Sequence, residues 1–123
     1  MNLSDYIGIP FEYGGRGNGS YDCFGLVRDL YHKHHGVLIR DLKSSSDSKE
    51  IALMMSGDLV NWKEVEKKIG SVVLFRIRGV VGHIGFVSSS DSFVHTWEKT
   101  GGVTVEKLND WEQRIIGYYH YVG

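Results

Sequence analysis

The stretch "GNGSYDCFGLVRDLYHKHHG", residues 17–36, holds the only cysteine of the chain and a run of apolar residues at helical spacing. Cys23, Leu26, Val27, Leu30, Tyr31 and His34 fall at i, i+3, i+4, i+7, i+8 and i+11, one face of a 3.6-residue repeat. Ser20 or Asp22 is placed to cap the start and Gly36 to stop the helix. Cys23 therefore lies in the first turn, on the face turned toward the rest of the protein. A free cysteine usually behaves as a small buried apolar residue. A first-turn position adds a second effect, because unpaired amides and the helix dipole favour the thiolate. The local sequence thus predicts an accessible thiol of lowered pKa, which becomes a nucleophile only if a base lies within reach.

On the N-terminal side, "EYGGRGNGSYD" is a loop with four glycines between positions 14 and 19. No Gly-Lys-Ser/Thr follows it, so it is not a phosphate-binding loop. On the C-terminal side, "SKEIALMMS" predicts a second, shorter helix, with Asp47 and Glu50 as a capping pair and Gly57 as its end. "DLVNWKEVEKK" reads as irregular. From residue 70 the period changes from 3.6 to 2. "SVVLFRIR", "HIGFVSS", "SFVHTWE", "GVTVEK" and "IIGYYHYV" are short strands, separated by "GVVG", "SSDS", "KTGG" and a "LNDWEQR" turn. About five closely spaced strands predict an antiparallel meander. Helices first and strands later predict an α+β fold, N-terminal helices packed on one face of a C-terminal sheet.

Composition narrows the functional classes. With 123 residues, the chain is expected to form one domain, residues 1–123, with a full core. A formal net charge of −1 leaves no electrostatic case for nucleic acid. A single cysteine forms no internal disulfide and excludes cysteine-rich zinc sites. The opening "MNLSDYIGIPFEYGG" has no basic region followed by an apolar run, so the expectation is synthesis in the cytoplasm without a secretory signal. Apolar runs are far too short to insert in a membrane.

Six histidines are candidates for the base. The "HKHH" group ends the first helix about three turns, or about 15 Å, from Cys23. It suits the negative end of the helix dipole better than catalysis at that cysteine. His83 opens one strand and His95 sits in the next, joined by the "SSDS" turn. Pairing Phe86 with Phe93 or its neighbours brings the two imidazoles close enough to hydrogen-bond. One would then deprotonate a thiol while the other fixes its tautomer. His120, in the last strand, is the competing partner.

These residues carry a resemblance. "IGIPFEYGGRG", "YDCFGLVRDLYHKHHG", "IGSVVLFRI", "VGHIGFV", "FVHTWEKTGGVTVEKL" and "IIGYYHY" occur in the order found in the NlpC family of papain-like cysteine endopeptidases, which cut bacterial cell-wall peptides. The chain most resembles the short members found in phage and prophage tails. The resemblance implies Cys23 as nucleophile, His83 as base and His95 as the residue that orients it. It also implies Tyr13 near the oxyanion position, and Asp22, Phe24 and Gly82 in substrate binding. Most cell-wall members have serine where this chain has Phe24, and tail-associated members often have a bulky aromatic.

The resulting expectation is a peptidoglycan endopeptidase that needs no metal or cofactor, acts on stem peptides at the host cell wall and is carried by other phage-tail proteins in the virion tail. Two rivals share the fold: a catalytically silent tail-assembly subunit, and a thiol acyltransferase. An intact Cys23, His83 and His95 argues against the first. The second should show an amphipathic membrane anchor, which the sequence does not offer.

Overall fold

The computed structural model describes residues 2–41 and 59–123. The helix expected from "SKEIALMMS" lies outside these residues. Helix α1 spans Cys23–His35, capped by the Asp22 side chain on the Gly25 amide and closed by Gly36 in the left-handed conformation. Six strands follow: β1 Trp62–Val65, β2 Val72–Ile77, β3 Val80–Val87, β4 Ser92–His95, β5 Thr104–Lys107 and β6 Ile115–Tyr121. They form one antiparallel sheet in the order β1-β6-β2-β3-β4-β5. The α+β class is as expected, with one helix among the described residues against six strands.

Three details differ from the sequence reading. "DLVNWKEVEKK" is not irregular throughout, because it holds a short 3-10 turn at Leu59–Asn61 and the edge strand β1. The meander is confined to β2 through β5. The last strand leaves β5 and returns to pair with β2 on its other side, Leu74 opposite Gly117 and Val73 opposite Tyr118. The first hairpin also turns earlier than "GVVG" suggests. Arg78 and Gly79 both have positive φ, 52° and 83°, as a two-residue type I′ connection requires. Val80 and Val81 are then already strand.

Alternation along the strands splits the core in two. Val72, Leu74, Ile84, Phe86 and Val94 face α1 and meet Leu26, Val27, Leu30 and Tyr31, all buried. Val73, Phe75, Val87 and Phe93 point to the opposite face, where Leu108 and Trp111 of a 3-10 helix, Leu108–Arg114, cover them. No described helix is long and apolar enough to cross a membrane.

The glycine-rich loop is packed onto the start of α1. A side chain on Gly25 would put its Cβ 2.1 Å from the Gly15 carbonyl oxygen. That close approach makes the first turn of α1 buried all round, including Phe24 and Gly25 as well as the predicted apolar face.

Candidate active site

Cys23 enters the site from the first turn of α1, and its side chain is buried, with 3% of the residue exposed. Its sulfur lies against backbone amides: its own, that of Phe24 and that of Ile84 in β3. Ile84 is the residue after His83, so the sulfur meets β3 beside the expected base. The β3–β4 ladder is confined to Phe86 opposite Val94 and Val87 opposite Phe93, within the expected pairing of Phe86 with Phe93 or its neighbours. The ladder ends short of His83 and His95.

His83 and His95 are fully buried and bonded to each other, His83 Nε2 to His95 Nδ1 at 2.7 Å. They sit on the sheet face away from the main core, among aromatic rings. Phe75, Trp97 and Trp111 lie 5.6, 5.3 and 5.9 Å from His83, ring centre to ring centre, and Phe93 lies 4.6 Å from His95. Gly82 is buried and sits at a bulge: Phe75 pairs with His83 and Arg76 with Val81, which leaves Gly82 without a partner across the ladder. The bulge sets the direction of His83.

The far nitrogen of His95, Nε2, meets Glu106 Oε2 at 2.5 Å, and Trp111 Nε1 donates to the other oxygen of Glu106 at 3.3 Å. Sequence reasoning missed Glu106, which reads as an ordinary solvent charge on an edge strand. A signal was present in the alternation. Phe93 pairs with Glu106 and His95 with Thr104, so Glu106 shares the face of His95 and is its diagonal neighbour. The competing partner, His120, is elsewhere: its Nδ1 is bonded to the Tyr31 hydroxyl at 2.7 Å.

Burial works against charge at both reacting groups. It pushes the Cys23 thiol up to about 12, with the neighbouring Asp22 adding to the rise and the backbone amides opposing it. Burial, with a smaller contribution from His95, holds His83 well below the ordinary histidine value. His95 is also lowered by burial, opposed by Glu106. Burial thus disfavours the charged form of both the thiol and the imidazole. This corrects the expectation of an accessible thiolate, since the local helix effect is outweighed by desolvation and an adjacent acid. Among the described residues His83 Nδ1 is buried without a hydrogen-bond partner, the Cys23 sulfur included.

Two expected substrate-binding residues are occupied structurally. The Asp22 carboxylate is fully buried and receives the Gly25 amide at 2.7 Å, the Gly14 amide at 3.0 Å and Arg16 Nη1 at 2.8 Å. Arg16 also reaches Asp41 at 3.1 Å. Asp22 thus ties the glycine loop to the helix start. Phe24 is 1% exposed and belongs to the main core, with the Arg16 guanidinium 5.3 Å above its ring. It packs as a core residue where the glycine loop lies on the first turn of α1. Tyr13 is half-buried at the edge of that core, its ring edge-on to Phe11 at 4.9 Å. Among the described residues no three His, Cys, Asp or Glu side chains are grouped to hold a metal ion.

A cysteine in the first turn of a helix, laid against an antiparallel sheet that carries a histidine pair, defines the papain-like class. The chain belongs to the NlpC/P60 family, whose model matches residues 8–120. That family includes peptidoglycan hydrolases. Solved structures share the fold. An NlpC/P60 family protein from Bacillus cereus is 21% identical with a TM-score of 0.70, over 98% of this chain and 38% of that one. The NlpC/P60 domain of the peptidoglycan hydrolase SagA is 19% identical with a TM-score of 0.64, over 95% of this chain and 90% of that domain. The P60 domain of an antigen from M. avium subspecies paratuberculosis is 17% identical with a TM-score of 0.64, over 98% and 88%. No curated protein matches the sequence.

Proposed function

We propose that this chain is a peptidoglycan endopeptidase that cleaves stem peptides through a thioester at Cys23. The observation that carries this reading is the His83–His95 bond of 2.7 Å, which leaves a buried, unpartnered Nδ1 on the histidine next to the strand residue that touches the sulfur. Family membership, and a structural neighbour described as a peptidoglycan hydrolase, support the substrate class.

In this mechanism the thiol and imidazole close on each other when substrate binds, as catalytic hydrogen bonds do that are long in the empty enzyme. The thiol proton passes to His83 Nδ1 as the sulfur bonds to the scissile carbonyl carbon. The imidazolium then gives that proton to the leaving amine as the C–N bond breaks. A water deprotonated by His83 splits the thioester and restores the thiol. His95 holds the ring of His83 and disperses its transient charge. Phe24 after the nucleophile, as in tail-associated members, supports a place in a phage or prophage tail, with the cell wall of the host as the site of action.

The burial of Cys23 favours a second reading, a tail subunit that keeps the fold and binds without cutting. Digestion of purified muropeptides separates the two. The endopeptidase reading expects new stem-peptide fragments by mass spectrometry with wild type and none with Cys23→Ala. Binding without fragments from the wild type would establish the second reading.

A further inference from the structure

We propose that Glu106 is a positioning residue that fixes the proton pattern of both imidazoles and so makes His83 Nδ1 the proton acceptor. This deepens the catalytic reading above and rests on it for its consequence, though not for its geometry. The two rings share one hydrogen bond, His83 Nε2 to His95 Nδ1. Two arrangements of protons satisfy it. In one, His83 donates from Nε2 and keeps a lone pair on Nδ1. In the other, His95 donates from Nδ1, and the only proton of a neutral His83 then sits on Nδ1, which cannot accept from a thiol. Nothing within the pair selects between them.

The selection comes from outside. A carboxylate only accepts hydrogen bonds, so Glu106 Oε2 at 2.5 Å requires a proton on His95 Nε2. A neutral His95 then has a lone pair on Nδ1, His83 must donate from Nε2, and Nδ1 of His83 is left free to accept. Both imidazoles are held toward neutrality by burial, so the single-proton argument applies to each. The carboxylate is itself fixed. Trp111 donates to its second oxygen, and the β4–β5 register holds its strand beside His95. His95 is fully buried while the Glu106 side chain is 34% exposed, so this carboxylate is the outer end of a chain that runs from surface to buried imidazole.

The experiment reads ring tautomers directly, by long-range 1H–15N NMR on protein labelled at histidine nitrogen, at neutral pH. In wild type both His83 and His95 are expected in the Nε2–H form. Glu106→Ala should mix the two forms and lower kcat about tenfold while leaving KM unchanged. Glu106→Gln, whose amide oxygen accepts from Nε2–H, should restore the wild-type pattern and most of the rate. Glu106→Lys replaces the acceptor with a donor and should drive both rings to Nδ1–H. Glu106 sits on an edge strand and is part-exposed, and matching amide spectra establish that each variant is folded. Retention of the Nε2–H pattern in either Glu106→Ala or Glu106→Lys overturns the proposal. A wild type without peptidase activity would end the catalytic reading, yet the NMR result would still decide the role of Glu106.

Discussion

Replacing His95 with alanine takes away the hydrogen-bond partner of His83 Nε2 among the described residues, at 2.7 Å, where both imidazoles are fully buried among aromatic rings. The reactive tautomer then buries an unpaired N–H, a cost of about 1–3 kcal/mol. In the proposed mechanism the thiol closes on His83 Nδ1 as substrate binds, so in that complex the unreactive tautomer, with its proton on Nδ1, has the sulfur as acceptor and escapes that cost. At 1.36 kcal/mol per factor of ten, this bias alone lowers the population able to accept a proton by roughly 5- to 150-fold. Loss of the group that disperses the imidazolium charge adds to it, so the expected fall in kcat/KM is on the order of 10²-fold, less than the ~10⁴ seen for the orienting aspartate of a serine-protease triad. His95→Asn should keep part of the rate, since an amide oxygen still accepts from Nε2–H. His120→Ala should stay near wild type in activity, because His120 is bonded to Tyr31 and not to His83. The assay is initial-rate hydrolysis of a purified stem peptide, with circular dichroism to confirm folding of each variant. A silent His120→Ala beside an active His95→Ala would refute the reasoning.

Other perturbations read the surroundings of the site. Phe24→Ala should destabilise the fold by about 3–5 kcal/mol in urea titration, the range for emptying a buried aromatic site; altered stem-peptide preference at unchanged stability would return Phe24 to the pocket. Gly25→Ala gains the helix propensity of alanine, about 1 kcal/mol, but its Cβ would lie 2.1 Å from the Gly15 oxygen. The net result should be a lower melting temperature, and a higher one would mean that the loop is not packed as described. Alkylation of Cys23 by iodoacetamide should be slow until the protein is denatured, with a midpoint above that of an ordinary cysteine, since burial raises the thiol to about 12. His83 and His95 both have folded pKa values below the ordinary histidine value, so the unfolded chain binds protons that the folded chain refuses. Stability should therefore fall as pH drops below ~6.5, by up to about 1.4 kcal/mol per pH unit for each such group. His83→Gln should flatten that slope, and parallel wild-type and variant curves between pH 7.5 and 5.5 would contradict it.

The legible parts of this protein were those set by local periodicity. The α1 face, its Gly36 stop, and strands β2 to β4 follow from spacing alone, the structure choosing Asp22 over Ser20 as the N-cap, and the close pairing of His83 with His95 follows from one hairpin. Strand β1 was hidden because it is an edge strand with exposed charges at Lys63 and Glu64, which leaves no alternating apolar pattern to read. The place of β6 was not local information at all. It is chosen by contacts distant in sequence, among them Tyr31 with His120 and the Tyr121 amide. The state of Cys23 failed for a related reason. A helix start predicts a thiolate only while the turn stays solvated, and here the loop tied down by Asp22 and Arg16 closes over it.

The central claim is that Cys23 carries the acyl group. It is tested most directly by acid-quenching the enzyme during turnover of a stem peptide and measuring the mass of the protein and of its Cys23-bearing fragment. The account predicts an increment equal to the acyl half of the substrate, located on Cys23, and no turnover in Cys23→Ala. Hydrolysis by Cys23→Ala at the wild-type rate would contradict it.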